Sequence, residues 1–357
     1  MKDPVVALDA RLAGTQNTGD TSYWRGLIWG LSQTCGEAQV TLFGDTPRPA
    51  ELGDCPFRWV EVQAANPRLW SLVALPRAAK ESGADILHTQ YNVSPLTACP
   101  AVTTVHDVSF FVNPLWYGWK DRLLLTKGLP ASCRRAKQIL AVSETTKREI
   151  EQYIPAARGK VTVTFNALGP GFAPADKTVA KAFLRSRFGI ETPFVFAITS
   201  PWARKNSRLA GEAYSQSLLA ETHRLVTCGP GEAIQPGSLH LGYVDDATIR
   251  NLYAAADCFL LPSLHEGFGI PILESFASGT PVVCGPGGAI PEVALDAAWV
   301  CPDYRPETWA GTLDRLFDDS GKLEAMVAKG RDRVRDFSWL DTAAKTWEAY
   351  GRAAAGG

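Results

Sequence analysis

Two glutamates eight positions apart, Glu266 and Glu274, carry the strongest chemical signal in the sequence. They lie in the segment LPSLHEGFGIPILESFASGTPVV, residues 261–283, which starts as a buried strand and then bends at glycines. Pro271 favours the first turn of a helix, so Glu274 falls one turn into that helix, and Gly279 is placed to end it. We therefore expect both carboxylates near one another, at the carboxyl end of the strand.

The turn between the two glutamates leads directly into the predicted helix. It consists of Gly267, Phe268, Gly269 and Ile270. The first amides of a helix have no partner within the helix and attract negatively charged oxygen. Carboxylates beside such amides suit a ligand that carries both sugar hydroxyls and phosphates. The alternative is purely structural, with one glutamate favouring the helix dipole and the other capping a turn.

Polar residues also follow several other apolar runs directly. They are His106 and Asp107 after TTV, Ser143 and Glu144 after LAV, Arg204, Lys205 and Asn206 after AITSPWA, and His265 and Glu266 after LLPSL. In open parallel sheets, ligands bind beyond the carboxyl ends of the strands. Two such edges would form an interdomain cleft, which is a common place for a small ligand.

The elements that must position these residues form a repeating pattern. β-branched runs, each followed by a polar turn and a stretch with helical spacing, predict parallel α/β units. The runs begin at Val5, Ala38, Phe57, Asp85, Ala101, Gln138, Phe194, His223, Asp257, Thr280 and Ala298. The pattern is interrupted by NALGPGFAPADK, residues 166–177, and the glycines and prolines of this stretch predict a linker. We predict an α/β protein with two doubly wound Rossmann-like domains, 1–170 and 171–335, and a last helix, 336–357, that packs back towards the N-terminal domain.

Composition excludes several classes of protein. A chain of 357 residues favours two domains, and 46% hydrophobic with 20% charged residues indicates a folded, soluble protein. Lys and Arg total 36 against 37 Asp and Glu, so we expect no nucleic-acid partner. The eight cysteines show no CxxC or Cys/His spacing, which predicts free thiols rather than zinc. With no signal-peptide pattern and no long apolar run, we expect a cytoplasmic protein.

The segment from Glu266 to Glu274, with SGTPVV after it, resembles the two-glutamate signature of glycosyltransferase family 4. Members of that family are retaining enzymes with the GT-B architecture of two Rossmann-like domains. The resemblance implies that domain 1–170 binds the acceptor and that domain 171–335 binds the nucleotide sugar. Five other segments appear in the order found in the family: AVTTVHDVSFFVNP, RRAKQILAVSETTKREI, VTVTFNALGPGF, SPWARKN and HLGYVDDATIRNLYAAADCFLLPS. The resemblance extends from about Leu8 to Tyr350.

The resemblance implies a role for each matching residue. Glu274 is expected to hold the ribose hydroxyls of a nucleotide donor, and Glu266 to contact the transferred sugar as a catalytic residue. Arg204 and Lys205 resemble the basic pair that neutralises the diphosphate, which agrees with their charge and geometry. The alternative for this pair is a solvated surface. His106 resembles the histidine of the acceptor-side active site, and its alternative is a structural histidine.

The chain departs from the family at the first glycine turn. Many members have a Gly-x-Gly-Arg-Tyr sequence there, whereas this chain reads GTQNTGDTSYWRGL. Gly14, Gly19 and Asp20 are the candidates for a phosphate loop at the start of a helix. A plain flexible loop is the alternative.

The segment from Trp116 to Lys137 is strongly basic. Its six basic residues against one acid give the segment a net charge of +5; they are Lys120, Arg122, Lys127, Arg134, Arg135 and Lys137. Two tryptophans and several leucines lie among them, a combination that suits either peripheral contact with an anionic membrane, at its inner face, or binding of an anionic acceptor. The alternative is a solvated helix pair.

The expected activity is a retaining transfer of a hexose to a glycan or glycolipid acceptor. Mannose from GDP-mannose is the first choice of donor, because the VHD and AVSE segments resemble those of mannosyltransferases, and a UDP-sugar is the second. No Asp-x-Asp occurs in the sequence, so we expect no metal and no cofactor, with Arg204 and Lys205 supplying the positive charge. Two alternatives stay open: a UDP-amino-sugar epimerase of the same architecture, and a non-catalytic nucleotide-sugar sensor.

Overall fold

The computed structural model describes residues 3–14, 19–170 and 172–355. The chain divides into two compact units, Met1–Pro170 with Phe337–Gly357, and Gly171–Asp336. Gly171, at which the second domain was predicted to begin, lies outside the described residues. No helix in the described ranges is both long and apolar enough to cross a bilayer.

The first unit contains a seven-stranded parallel sheet in the order β3-β2-β1-β4-β5-β6-β7. Its strands are β1 (Val6–Asp9), β2 (Val40–Gly44), β3 (Arg58–Glu61), β4 (Ile86–Gln90), β5 (Ala101–Val105), β6 (Gln138–Ala141) and β7 (Val161–Val163). Its helices are α1 (Gly19–Thr34), α2 (Pro67–Leu69), α3 (Leu75–Glu81), α4 (Ser109–Val112), α5 (Trp119–Arg135), α6 (Glu144–Tyr153) and α14 (Trp339–Ala355). Reversal of the strand order at β1 and β4 is the doubly wound topology, which brings the ends of these two strands together at a ligand-binding position.

The second unit repeats this topology with six parallel strands in the order β10-β9-β8-β11-β12-β13. The strands are β8 (Phe194–Ile198), β9 (Arg224–Cys228), β10 (Leu239–His240), β11 (Cys258–Leu261), β12 (Val282–Cys284) and β13 (Trp299–Val300). The helices are α7 (Lys177–Phe188), α8 (Ser207–Gln216), α9 (Asp246–Ala255), α10 (Ile270–Ala277), α11 (Ile290–Ala294), α12 (Pro306–Phe317) and α13 (Ser320–Val334). The predicted α/β class with two Rossmann-like sheets is confirmed.

The apolar runs form these sheets because both faces of a parallel sheet are covered by helices. All four residues of β1 and of β11 are buried. In the first unit, α14 packs on α1, where a Cβ at Gly26 would overlap the ring of Trp339. Trp339 Nε1 donates to the Leu168 carbonyl at 2.6 Å. Tyr350, also on α14, bonds to the buried His88 of β4 at 2.7 Å.

Candidate active site

Glu266 lies in the loop after β11, at the carboxyl end of the second sheet, and it is buried. Lys205 Nζ donates to both of its carboxylate oxygens, at 2.7 and 2.8 Å. Arg204 Nη1 lies 3.4 Å from Glu266 Oε2 and donates to the His265 carbonyl at 3.1 Å. The basic pair comes from the turn Ala203–Lys205 after β8, the strand beside β11. The structure therefore brings three of the predicted site residues into direct contact.

Opposing effects set the ionisation of Glu266. Burial raises its pKa, whereas the charges of Lys205 and Arg204, with hydrogen bonds from Lys205 and Ser263, lower it, and the net direction is downwards. Glu266 is therefore a carboxylate at neutral pH. Two cations around one carboxylate leave a net positive site, which suits phosphate oxygens next to a hydroxyl-bearing group.

A glycine after β12 fixes the backbone of the Glu266 loop. Gly288 bridges to Glu266 in parallel, and the Ala289 N–H donates to the Glu266 carbonyl at 2.8 Å. Tyr304 braces the same loop, because its hydroxyl donates to the Ser263 carbonyl at 2.9 Å. These positioning residues were missing from our sequence-based assignment. The only available signal was the run GPGG after an apolar strand.

Replacing Gly288 with alanine is expected to destabilise the second unit and to lower activity. The residue has φ +62°, and a Cβ there would overlap the backbone of Glu266. The strain and the clash together cost about 2 kcal/mol or more. Thermal unfolding and turnover would measure both effects. Gly311→Ala is the matched control: it lies inside α12, an added Cβ would meet only the end of the Arg315 side chain at 4.0 Å, and the change is expected to be neutral or slightly stabilising. A Gly288→Ala variant as stable as this control would contradict the prediction.

The glycine-rich turn leads into α10 as the sequence predicts. Gly269, with φ +107°, is the residue before the helix, and Pro271 lies in the first turn. Gly279, with φ +73°, lies just beyond the helix end. Gly267, Phe268 and Ile270 are all buried in this turn. The amides at the start of α10 and the Glu266 carboxylate therefore belong to one short loop.

Glu274 lies on α10, one turn in from its start, and is partly buried. Burial raises the pKa of Glu274 to about 7; Asp246 acts in the same direction, and the Tyr253 hydroxyl acts against it. Tyr253 is itself fully buried on α9. The carboxyl of Glu274 therefore changes its charge close to neutral pH.

This shift predicts that donor affinity depends on pH. A carboxylate accepts hydroxyl hydrogen bonds better than a carboxylic acid, so binding through Glu274 strengthens as pH rises through about 7. Between pH 6 and pH 8 the ionised fraction changes by about tenfold. Calorimetry with an intact nucleotide sugar, whose diphosphate does not titrate in this range, is expected to show an equivalent change in Kd. Glu274→Gln is expected to remove it, and equal pH profiles for the two proteins would contradict the assignment.

His106 lies directly after β5, in the first unit, and is buried. Its Nε2 has no hydrogen-bond partner among the described residues and lies 3.8 Å from Asp20 Oδ1. The Tyr23 ring packs edge-on against the imidazole at 4.8 Å. Burial lowers the pKa of His106, although Asp20 and Asp107 act in the opposite direction. The imidazole is therefore neutral at pH 7 and able to share a hydrogen bond with a hydroxyl.

The first glycine turn is described only in part. Gly14 ends the turn Arg11–Gly14, and Gly19 is the first residue of α1. Residues 15–18, the middle of the predicted phosphate loop, lie outside the described residues. Its role in phosphate binding stays a prediction.

Comparison with known proteins identifies the chain. A family model for glycosyl transferases group 1 matches residues 232–333, and one for glycosyltransferase family 4 matches residues 27–169. The chain is 33% identical over 268 residues to O-antigen chain mannosyltransferase B of Escherichia coli, covering 70% of each protein. The chain belongs to the group 1 glycosyltransferases of family 4.

Solved structures agree with the fold of this group 1 glycosyltransferase. Sucrose-phosphate synthase from Thermosynechococcus elongatus aligns with 99% of this chain and 100% of its own, at 17% identity and a TM-score of 0.77. HepE of Anabaena, solved with UDP and glucose, aligns with 97% of this chain and 99% of its own, at 16% identity and a TM-score of 0.74. The architecture is GT-B, and the enzyme uses a nucleotide-sugar donor.

Proposed function

We propose that this enzyme is a retaining, metal-independent hexosyltransferase that moves mannose, as first choice, from GDP-mannose to a glycan or glycolipid acceptor. The observation that carries the proposal is the contact of Lys205 and Arg204 with Glu266 at one sheet edge. Support for mannose comes from the E. coli relative, which is named an O-antigen chain mannosyltransferase. A UDP-hexose is the second choice of donor.

In this proposal the chain's own cations stabilise the departing diphosphate. Lys205 and Arg204 are already held side by side, so little reorganisation is needed when phosphate oxygens replace part of their contact with Glu266. Glu266 then accepts hydrogen bonds from hydroxyls of the transferred sugar, and the amides at the start of α10 face the phosphate oxygens. Glu274 holds the ribose hydroxyls. Front-face attack, with the leaving phosphate taking the acceptor's proton, would retain the anomeric configuration.

A donor panel tests this proposal. Thermal unfolding with GDP, GDP-mannose, UDP and UDP-glucose would identify the donor, because a ligand at a hundred times its Kd adds about 2.7 kcal/mol of stability. Incubation with the stabilising donor and a mannoside should then give a new glycosidic bond with the donor's anomeric configuration, at the same rate in excess EDTA. Isomerised donor would indicate the epimerase, and binding without turnover the sensor. Activity lost on chelation and restored by Mg²⁺ would refute the metal-free mechanism.

The first unit presents a basic and apolar surface, which we define as Leu115, Trp119, Leu123 and Leu124 with the basic residues of α5. The four apolar side chains are 84, 70, 54 and 51% exposed. Trp119 and Leu123 are one helical turn apart, and Lys120 lies over the Trp119 ring at 5.5 Å. Exposed apolar groups among cations match an anionic bilayer, in which the apolar side chains enter the interface and the cations meet the headgroups. We propose that this surface holds the enzyme peripherally at the cytoplasmic face of a membrane.

Vesicle binding tests this contact. Co-sedimentation with phosphatidylglycerol-containing vesicles is expected for the native protein and is expected to weaken at least tenfold in Trp119→Ser/Leu123→Ser. The exposed pair Leu218→Ser/Val179→Ser, in the second unit, is the control. Equal binding of the two double variants would remove the surface from the proposal.

A further inference from the structure

Asp20 is positioned beside His106 by a chain of hydrogen bonds. Gln90 Nε2 donates to Asp20 Oδ2 at 2.9 Å, and Gln90 Oε1 accepts from the indole N–H of Trp24 at 2.6 Å. Trp24 is fully buried on α1. The second carboxylate oxygen, Oδ1, faces His106 Nε2 at 3.8 Å, which is too long for a hydrogen bond. The side chain of Asp20 remains 42% exposed.

The gap between Oδ1 and Nε2 fits one hydroxyl group. An oxygen about 2.8 Å from both atoms could donate its proton to the Asp20 carboxylate and accept from the imidazole when Nε2 carries the hydrogen. His106 is nine-tenths buried, and its Nε2 is without a hydrogen-bond partner in the described part of the chain. A buried imidazole nitrogen of this kind needs a polar partner. A ligand hydroxyl would satisfy it.

Charge decides which ligand this pair accepts. The charged groups that act on the imidazole are Asp20 and Asp107, and both are acidic. Arg11, a basic residue just after β1 at the same sheet edge, is engaged with the Pro67 carbonyl and the Trp70 ring. A phosphate here would meet two carboxylates, whereas a neutral hydroxyl would meet an acceptor and a donor.

We propose that Asp20 binds a hydroxyl of the acceptor sugar together with His106, and that it selects acceptors that carry no phosphate at the reacting end. The proposal rests on the glycosyltransferase function above. It assigns Asp20 to the acceptor rather than to the donor phosphates. Gln90 is then a positioning residue, because it fixes the carboxylate through Oδ2.

Binding and transfer with a matched pair of acceptors test the proposal. The probes are methyl α-D-mannopyranoside and its 6-phosphate, in the presence of the nucleoside diphosphate that stabilises the protein. Ligand-observed NMR would give Kd values, and transfer assays would give KM and kcat. The native protein is expected to prefer the neutral glycoside at least tenfold. Asp20→Asn is expected to raise the KM for the neutral glycoside about tenfold and to remove the preference, and Gln90→Leu to act in the same direction more weakly.

The control is Asp54→Asn, an exposed aspartate on the same unit. A purely structural role for Asp20 would change stability but not the ratio between the two acceptors. Preference for the phosphorylated glycoside in the native protein, or an unchanged ratio in Asp20→Asn, would overturn the inference while donor turnover continued. Absence of any donor turnover by the native enzyme would instead overturn the proposed function, and this inference with it.

Discussion

Replacing Lys205 with alanine is expected to lower kcat/KM about a thousandfold. The change removes a cation that the proposal places on the departing diphosphate, an effect of about 10²- to 10³-fold where electrostatic stabilisation is preorganised. It also removes the shorter of the two ion pairs of Glu266, at 2.7 Å against 3.4 Å for Arg204. With Lys205 gone, its charge and hydrogen bonds no longer lower the pKa of Glu266, and that pKa rises.

Steady-state kinetics and calorimetry on the same preparations would check this expectation. Arg204→Ala is expected to weaken nucleotide binding, because its guanidinium reaches the same site. In the double variant Lys205→Ala/Glu266→Gln, the increase in activation free energy is expected to be smaller than the sum of the increases in the two single variants. The reason is that the two side chains are in direct contact, so each single change also disturbs the other residue. Lys181→Ala, an exposed lysine on the same unit, is the matched control. Turnover by Lys205→Ala within a few-fold of this control would exclude Lys205 from catalysis.

The sheets were predictable because buried parallel strands are continuous apolar runs. The runs VVALDA and DCFLLP predict β1 and β11, and every residue of these two strands is buried. The two strands absent from the prediction, Val161–Val163 and Leu239–His240, lie at sheet edges and contain three and two residues. Segments this short carry weak periodicity and are easily missed. The equally short edge strand β13 was predicted from the run that begins at Ala298.

The site was predictable where sequence neighbours act together. Glu266, the glycine turn and Glu274 lie on one strand-loop-helix segment, so local rules placed them correctly. Contacts between distant segments could not be read in this way: Gly288 reaches Glu266 through a loop after the next strand. A polar residue directly after a strand does not by itself indicate a binding site. Ser143 follows β6 in this way, but its side chain caps α6 by accepting a hydrogen bond from the Thr146 N–H.

His106→Ala is expected to lower turnover at least a hundredfold and to leave the Kd for the nucleoside diphosphate within about twofold. The reason is placement: His106 lies on the first unit, whereas Arg204, Lys205 and Glu274 lie on the second. Because burial lowers the pKa of His106, its neutral form prevails above about pH 6.5. Deprotonation of His106 therefore cannot explain a change in turnover between pH 7 and pH 8.

Calorimetry with the free nucleoside diphosphate and turnover with donor and acceptor would separate the two effects of this substitution. His106→Gln keeps a polar group at the position and is expected to retain more activity than alanine, because an amide can still share a hydrogen bond with the acceptor hydroxyl. His223→Gln, at the opposite end of the second sheet before β9, controls for the loss of a histidine elsewhere. A folded His106→Ala protein that no longer bound the nucleoside diphosphate would show that the first unit holds the donor, and the assignment of acceptor to one unit and nucleotide to the other would be wrong.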